Sequence, residues 1–170
     1  MAVDPASTNV PTTSAPGGAR RVMIATDGSD ASLTAARVAS EVFAGAEFLL
    51  VTVIDELEDP MADAGGFEGP AMDEKEAAEQ HRTEIVEAQG ALAATAHVFG
   101  AHAIRQRIVE HHGEGRATKL CTTAADEGAD LLVVGSHGHG IIADALLGSI
   151  SNHVVHHSTV PVLVVPSRKK

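Results

Sequence analysis

Three short apolar runs without polar alternation limit what this chain can fold into. They are Val22-Met23-Ile24-Ala25, Phe48 to Ile54 and Leu131-Leu132-Val133-Val134. A strand with one wet face alternates apolar and polar residues, whereas a strand covered on both faces does not. Each run therefore reads as a buried strand of a parallel sheet. Between and after them, apolar residues recur at helical spacing: Ala35, Val38, Ala39 and Val42, then Ala78, Ile85, Ala88, Leu92, Ala96 and Phe99, then Ala117, Leu120, Cys121 and Ala124. Ser29 and Asp30 suit a helix start, and Gly45, Gly100 and Gly128 suit helix ends. Helices are expected over 31–44, 73–99, 114–127 and 149–158. Ile104 to Ile108 alternates with Arg105 and Arg107, which predicts an edge strand. Val160 to Val165, with Pro161 near its start, completes five strands. The order β-α-β-α-β-α-β-α-β with right-handed crossovers gives an α/β fold, an open parallel sheet with helices on both faces. Ligands of such sheets bind beyond the carboxyl ends of the strands, where the winding reverses.

Composition bounds the rest. The chain has 170 residues, which suits one domain. Residues 1–19, with Pro5, Pro11, Pro16, Gly17 and Gly18, read as a disordered tail; 20–167 read as the folded domain and 168–170 as a short basic tail. Residues 55–76 form an acidic crossover broken by Pro60, Pro70 and three glycines. A formal charge of -11 and only 2% aromatic residues argue against gripping or stacking nucleic acid. No secretion signal or membrane span is evident, so a cytoplasmic location is expected. The single cysteine, Cys121, lies on an apolar helix stripe and should be a buried, inert thiol. His153 and His157 stand one helical turn apart, but nothing at metal-ligand spacing completes a site, so no metal is assigned.

The fourth strand runs into Gly135-Ser136-His137-Gly138-His139-Gly140, and Gly148-Ser149 follow with nine residues between Gly138 and Gly148. Glycines let the chain turn tightly and approach a ligand, and a helix opening at Ser149 offers free N–H groups to an anion. Ser149 and Ser151 add hydroxyls. A strand–helix turn with no ligand remains an alternative. The chain has no P-loop, no Gly-x-Gly-x-x-Gly after the first strand and no Gly-x-Ser-x-Gly elbow.

Gly135, Gly138, Gly148 and Ser149 resemble the ATP-binding signature of the universal stress proteins, Gly-x2-Gly-x9-Gly-Ser/Thr. Ala25-Thr26-Asp27-Gly28-Ser29 and the ending Val160-Pro161-Val162-Leu163-Val164-Val165 are similar to that family too. The resemblance spans roughly residues 20–166. It implies a Rossmann-like sheet of order 3-2-1-4-5 and a homodimer that binds ATP, carried with Mg2+, in a stress response. By position it puts Ala25, Thr26, Asp27 and Val53 near adenine and ribose. Val134, Gly135, His137 and Gly138 fall at the first phosphate turn, and Gly148, Ser149, Ile150 and Ser151 at the remaining phosphates. Asp27 is alternatively a helix cap. The last strand, an apolar sheet edge, is where two copies are expected to pair. Between Lys119 and Arg168 there is no Lys or Arg, so the loop brings no cation to a γ-phosphate, and binding is favoured over turnover. The other readings are a slow ATPase or phosphoryl/nucleotidyl transferase, and a ligand-free structural dimer.

Overall fold

The computed structural model describes residues 19–57, 74–100, 104–138 and 147–166. The expected tail before Ala19, most of the acidic crossover, His139-Gly140 and the basic tail lie outside them. Five strands, β1 (Arg21–Ala25), β2 (Glu47–Asp55), β3 (Ile104–His111), β4 (Leu131–Gly135) and β5 (Val162–Val165), form one parallel sheet of order β3-β2-β1-β4-β5. The helices are α1 (Asp30–Val42), α2 (Glu74–Ala96), α3 (Arg116–Asp126) and α4 (Ser149–His157), with a 3-10 turn over His97–Phe99.

The non-alternating runs explain the layers. Successive strand residues point to opposite faces. Val22, Ile24, Phe48 and Leu50 therefore pack with Ala35, Ala39, Leu92 and Phe99 on one side. Met23, Leu49, Val51 and Val134 pack with Leu120, Cys121, Ala124 and Val154 on the other. Burying a large aliphatic side chain is worth about 1.5–3 kcal/mol. With so few aromatics the cores are aliphatic apart from Phe48 and Phe99, whose ring centroids lie 4.7 Å apart. The inner face of α1 is alanine, with Ala35, Ala36 and Ala39 fully buried, so this helix sits close to the sheet.

Several boundaries differ from expectation. β5 begins at Val162, not Val160. The N–H of Val160 donates to the Ser158 hydroxyl, and Pro161 contributes only its carbonyl, which accepts from Leu132 N at 2.9 Å. Proline has no N–H for the ladder, so the strand starts after it. α3 begins at Arg116 rather than 114, because Gly113 and Gly115 are left-handed (φ 80° and 86°) and Glu114 turns back to accept from His112 N. α2 begins at Glu74, within the span expected for it, so residues 74–76, which the acidic crossover reading also included, belong to the helix.

β3 and β5 are the sheet edges. On β3, Arg105 and Arg107 both reach Glu127; Arg105, then Arg107, hold that carboxyl below its usual range. On β5, Val162, Leu163 and Val164 are half-buried. The winding reverses between β1 and β4, whose carboxyl ends open side by side.

Candidate functional site

The turn after β1 is built on hydroxyl groups. The Thr26 hydroxyl lies 2.7 Å from that of Thr95 and 3.1 Å from that of Ser32, and accepts from Gly28 N. Thr95, fully buried on α2, donates to Ala91 O at 2.7 Å. Thr52 on β2 donates to Thr26 O at 2.9 Å. Buried polar groups left unpaired are costly, and here they are mutually satisfied, so the turn is fixed to both β2 and α2. Gly28 is left-handed (φ 77°), and a Cβ there would meet Ala91 Cα at 3.1 Å. Ser29 is the cap of α1, its hydroxyl accepting from Ser32 N. Asp27 braces the turn instead, Oδ1 accepting from Ser29 N at 3.0 Å and from its hydroxyl at 2.6 Å.

Across the crevice, Ser136 O closes the loop by accepting from Gly148 N at 2.7 Å and from the Ser151 hydroxyl at 2.9 Å. This changes one expectation: the Ser151 hydroxyl is committed to the loop and buried, not held ready for an anion. Ser149 and Ile150 stand exposed at the start of α4. Its cap residue, Gly148, supplies no side-chain bond to the first N–H groups, which have no acceptor within the helix.

The three loop glycines are not required by a left-handed turn. None has positive φ. At Gly135, fixed backbone atoms rather than a strained turn demand glycine, while the neighbours of Gly138 and Gly148 are close. A Cβ at Gly135 would sit 2.9 Å from Ala31 C, one at Gly138 would sit 2.6 Å from Asp27 Oδ2, and one at Gly148 would sit 3.3 Å from Ser136 O.

Together these turns enclose a cavity of about 760 Å³. Ala25, Thr26, Asp27 and Val53 line it from the β1 and β2 side, and Gly135, His137, Gly138, Gly148, Ser149, Ile150 and Ser151 from the loop. Val134 is not among its walls; its side chain is 1% exposed in the α3–α4 core, which leaves only its main chain toward the crevice. His137 Nδ1 lies 3.0 Å from the Ser136 hydroxyl.

Among the cavity-lining residues missed in the sequence are Glu84, Glu87, Arg116 and Leu120. Arg116, on the first turn of α3, grips Asp55 at the end of β2, through Nε to Oδ1 (3.1 Å) and Nη2 to Oδ2 (3.0 Å). Glu84 Oε2 lies 3.6 Å from the same Nη2 and accepts from Asp55 N at 3.0 Å. Arg116 first, then His111, lower the Asp55 carboxyl pKa, and Asp55 raises that of the guanidinium. No linear motif signals the pair, since 61 residues separate its members. The loop sequence holds no Lys or Arg, but α3 brings Arg116 to the cavity.

Elsewhere, Cys121 is buried, and burial pushes its thiol up. The His153 and His157 rings lie 4.3 Å apart, and His153 Nε2 is 3.2 Å from the Thr118 hydroxyl. Among the described residues, no three His, Cys, Asp or Glu side chains gather as metal ligands, and no helix is long and apolar enough to cross a membrane.

The cavity volume falls in the usual range for small-molecule and cofactor sites, ~300–1,000 Å³. It offers apolar surface at Val53 and Leu120 and open amides at the head of α4, which suit an anion.

Known proteins agree with this layout. The model of the universal stress protein family matches residues 18–166. The universal stress protein MJ0577 of Methanocaldococcus jannaschii is 48% identical over 47 residues, 28% of this chain and 29% of that protein. Universal stress protein Sll1654 of Synechocystis is 35% identical over 75 residues, 44% of this chain and 47% of that protein. The matched segments thus span less than half of these curated relatives. A solved structure of MJ0577 superposes with a TM-score of 0.67 at 25% identity, covering 89% of this chain and 98% of that one. A universal stress protein in complex with cAMP superposes with a TM-score of 0.58 at 26% identity, covering 88% of this chain and 98% of that one.

Proposed function

Because the chain belongs to the universal stress protein family, we propose that it is an ATP-binding regulatory module of the subgroup carrying Gly-x2-Gly-x9-Gly-Ser, working in a stress response as a homodimer. One observation carries this reading: a single cavity gathers the β1 turn, Val53 and both ends of the glycine loop, although more than a hundred residues separate Asp27 from Gly148. A related protein's complex with cAMP supports the adenine nucleotide class. In this reading the triphosphate sits on the amides at the head of α4, with Mg2+ arriving on the phosphates, and Asp27 accepts from ribose or base. Binding, not turnover, is the role, because the cation in the cavity is already paired with Asp55 and Glu84.

The purified protein is expected to bind ATP with Mg2+ in calorimetry, and mass spectrometry is expected to find an adenine nucleotide among molecules released on denaturation. No heat of binding and no thermal shift with ATP would leave only a structural dimer. Rapid single-turnover hydrolysis abolished by His137→Ala would replace this reading with an enzyme.

The dimer rests on the apolar β5 edge, a side that invites pairing with a second copy. Val164→Lys is expected to give monomers by light scattering; an unchanged mass would move the interface elsewhere.

A further inference from the structure

We infer that Arg116, held flat by Asp55, is the residue on which the base of the bound nucleotide stacks, and that it sets the direction in which the nucleotide lies. The inference rests on the nucleotide reading of the cavity and deepens it.

An arginine lining a nucleotide cavity is ordinarily read as a phosphate ligand. Here the surroundings argue otherwise. Asp55 takes the guanidinium by its Nε–Nη2 edge, and Glu84 lies against the same Nη2. Glu87 lines the cavity nearby. One guanidinium against three carboxylates leaves this end of the cavity negative, so a phosphate is repelled from it. An arginine fixed by one edge still offers the flat faces of its plane, and guanidinium planes stack on aromatic rings and nucleobases. The two-bond grip on Asp55 settles the plane before any ligand arrives, which lowers the ordering cost of stacking. Leu120, on the turn after Arg116, and Val53 add apolar surface to the cavity lining.

Spacing fits as well. β2, which ends at Asp55, and β4, which leads into the loop, flank β1 on opposite sides. Strand spacing places them about 9–10 Å apart. The carboxylate cluster around Arg116, at the end of β2, and the amides at the head of α4, after the β4 loop, both line this one cavity. A molecule with an uncharged ring at one extremity and anionic groups at the other fits in a single orientation.

The test compares two ligands in the full-length protein, ATP with Mg2+ and inorganic tripolyphosphate with Mg2+. Calorimetry on the wild type, Arg116→Ala and Arg116→Lys gives the ratios. Both variants are expected to bind ATP about tenfold or more weakly, the scale of losing one base-stacking contact, while tripolyphosphate binding stays at the wild-type value. Lysine keeps the charge and loses the plane, so a lysine that restores ATP binding would overturn the stacking role. Equal weakening of ATP and tripolyphosphate would make Arg116 a phosphate ligand instead, and unchanged ATP binding in both variants would remove it from the site. Failure of the wild type to bind ATP is a separate result: it ends the nucleotide reading, and this inference with it. The Arg116 side chain is 45% exposed, and urea unfolding of both variants is expected to give midpoints near wild type, which separates a binding loss from a loss of fold.

Discussion

Gly135→Val is expected to cost the fold about 3 kcal/mol, at the upper end of what overpacking a tight interior does. A Cβ at this position would lie 2.9 Å from Ala31 C, 3.0 Å from Ala31 O and 3.1 Å from Ala31 Cβ. Two of these are backbone atoms in the first turn of α1, and backbone cannot swing aside as a long side chain does. α1 cannot retreat as a unit either, because Ala35, Ala36 and Ala39 are fully buried against the sheet. Valine adds two more methyl groups to the collision. Gly45→Ala is the control: nothing lies within 4 Å of a Cβ there, so it should stay within about 0.5 kcal/mol of wild type. Urea unfolding checks both. Equal midpoints for wild type and Gly135→Val would mean that the contact between the end of β4 and α1 is slack.

Ser149→Glu is expected to move stability and ligand affinity in opposite directions. The residue is exposed, opens α4 and lines the cavity. A carboxylate in the first turn of a helix is favoured by the dipole, by about 0.3–1 kcal/mol. The same charge occupies the ground that a triphosphate needs and repels it, so ATP affinity should fall at least tenfold, ~1.4 kcal/mol or more. Urea unfolding and calorimetry on one sample of the variant give both numbers. ATP affinity that survives in a variant of unchanged or higher stability would place the phosphates away from α4. Because the expected changes have opposite signs, damage to the fold cannot imitate loss of the site.

The fold was legible because burial on two faces leaves a mark on the sequence. Val22 to Ala25 and Leu131 to Val134 have no polar residue to turn toward water, and in the structure consecutive members of each run face opposite helix layers. That same parity explains Val134. The resemblance puts it beside the phosphates, but as a strand residue next to Val133 its side chain points into the α3–α4 core. Element ends were less legible where a missing N–H or a left-handed glycine decided them, as at Pro161 and Gly115. The glycine loop was visible as a pattern, but not the reason for its glycines. Ala31 and Asp27, which press on Gly135 and Gly138, lie more than a hundred positions earlier. Arg116 was invisible as a site residue for the same reason: its partners, Asp55 and Glu84, come from β2 and α2, and only the sheet brings them together.

The unlike margins of the sheet set a ceiling on assembly. Arginines tied to Glu127 occupy the β3 margin, whereas valine and leucine form the β5 margin. A body with an apolar rim on one side and a charge-guarded rim on the other has one strand margin open to a partner. If two copies join through β5, as the proposed dimer requires, each pair presents only guarded β3 margins outward, and growth into a filament through strand margins is not expected.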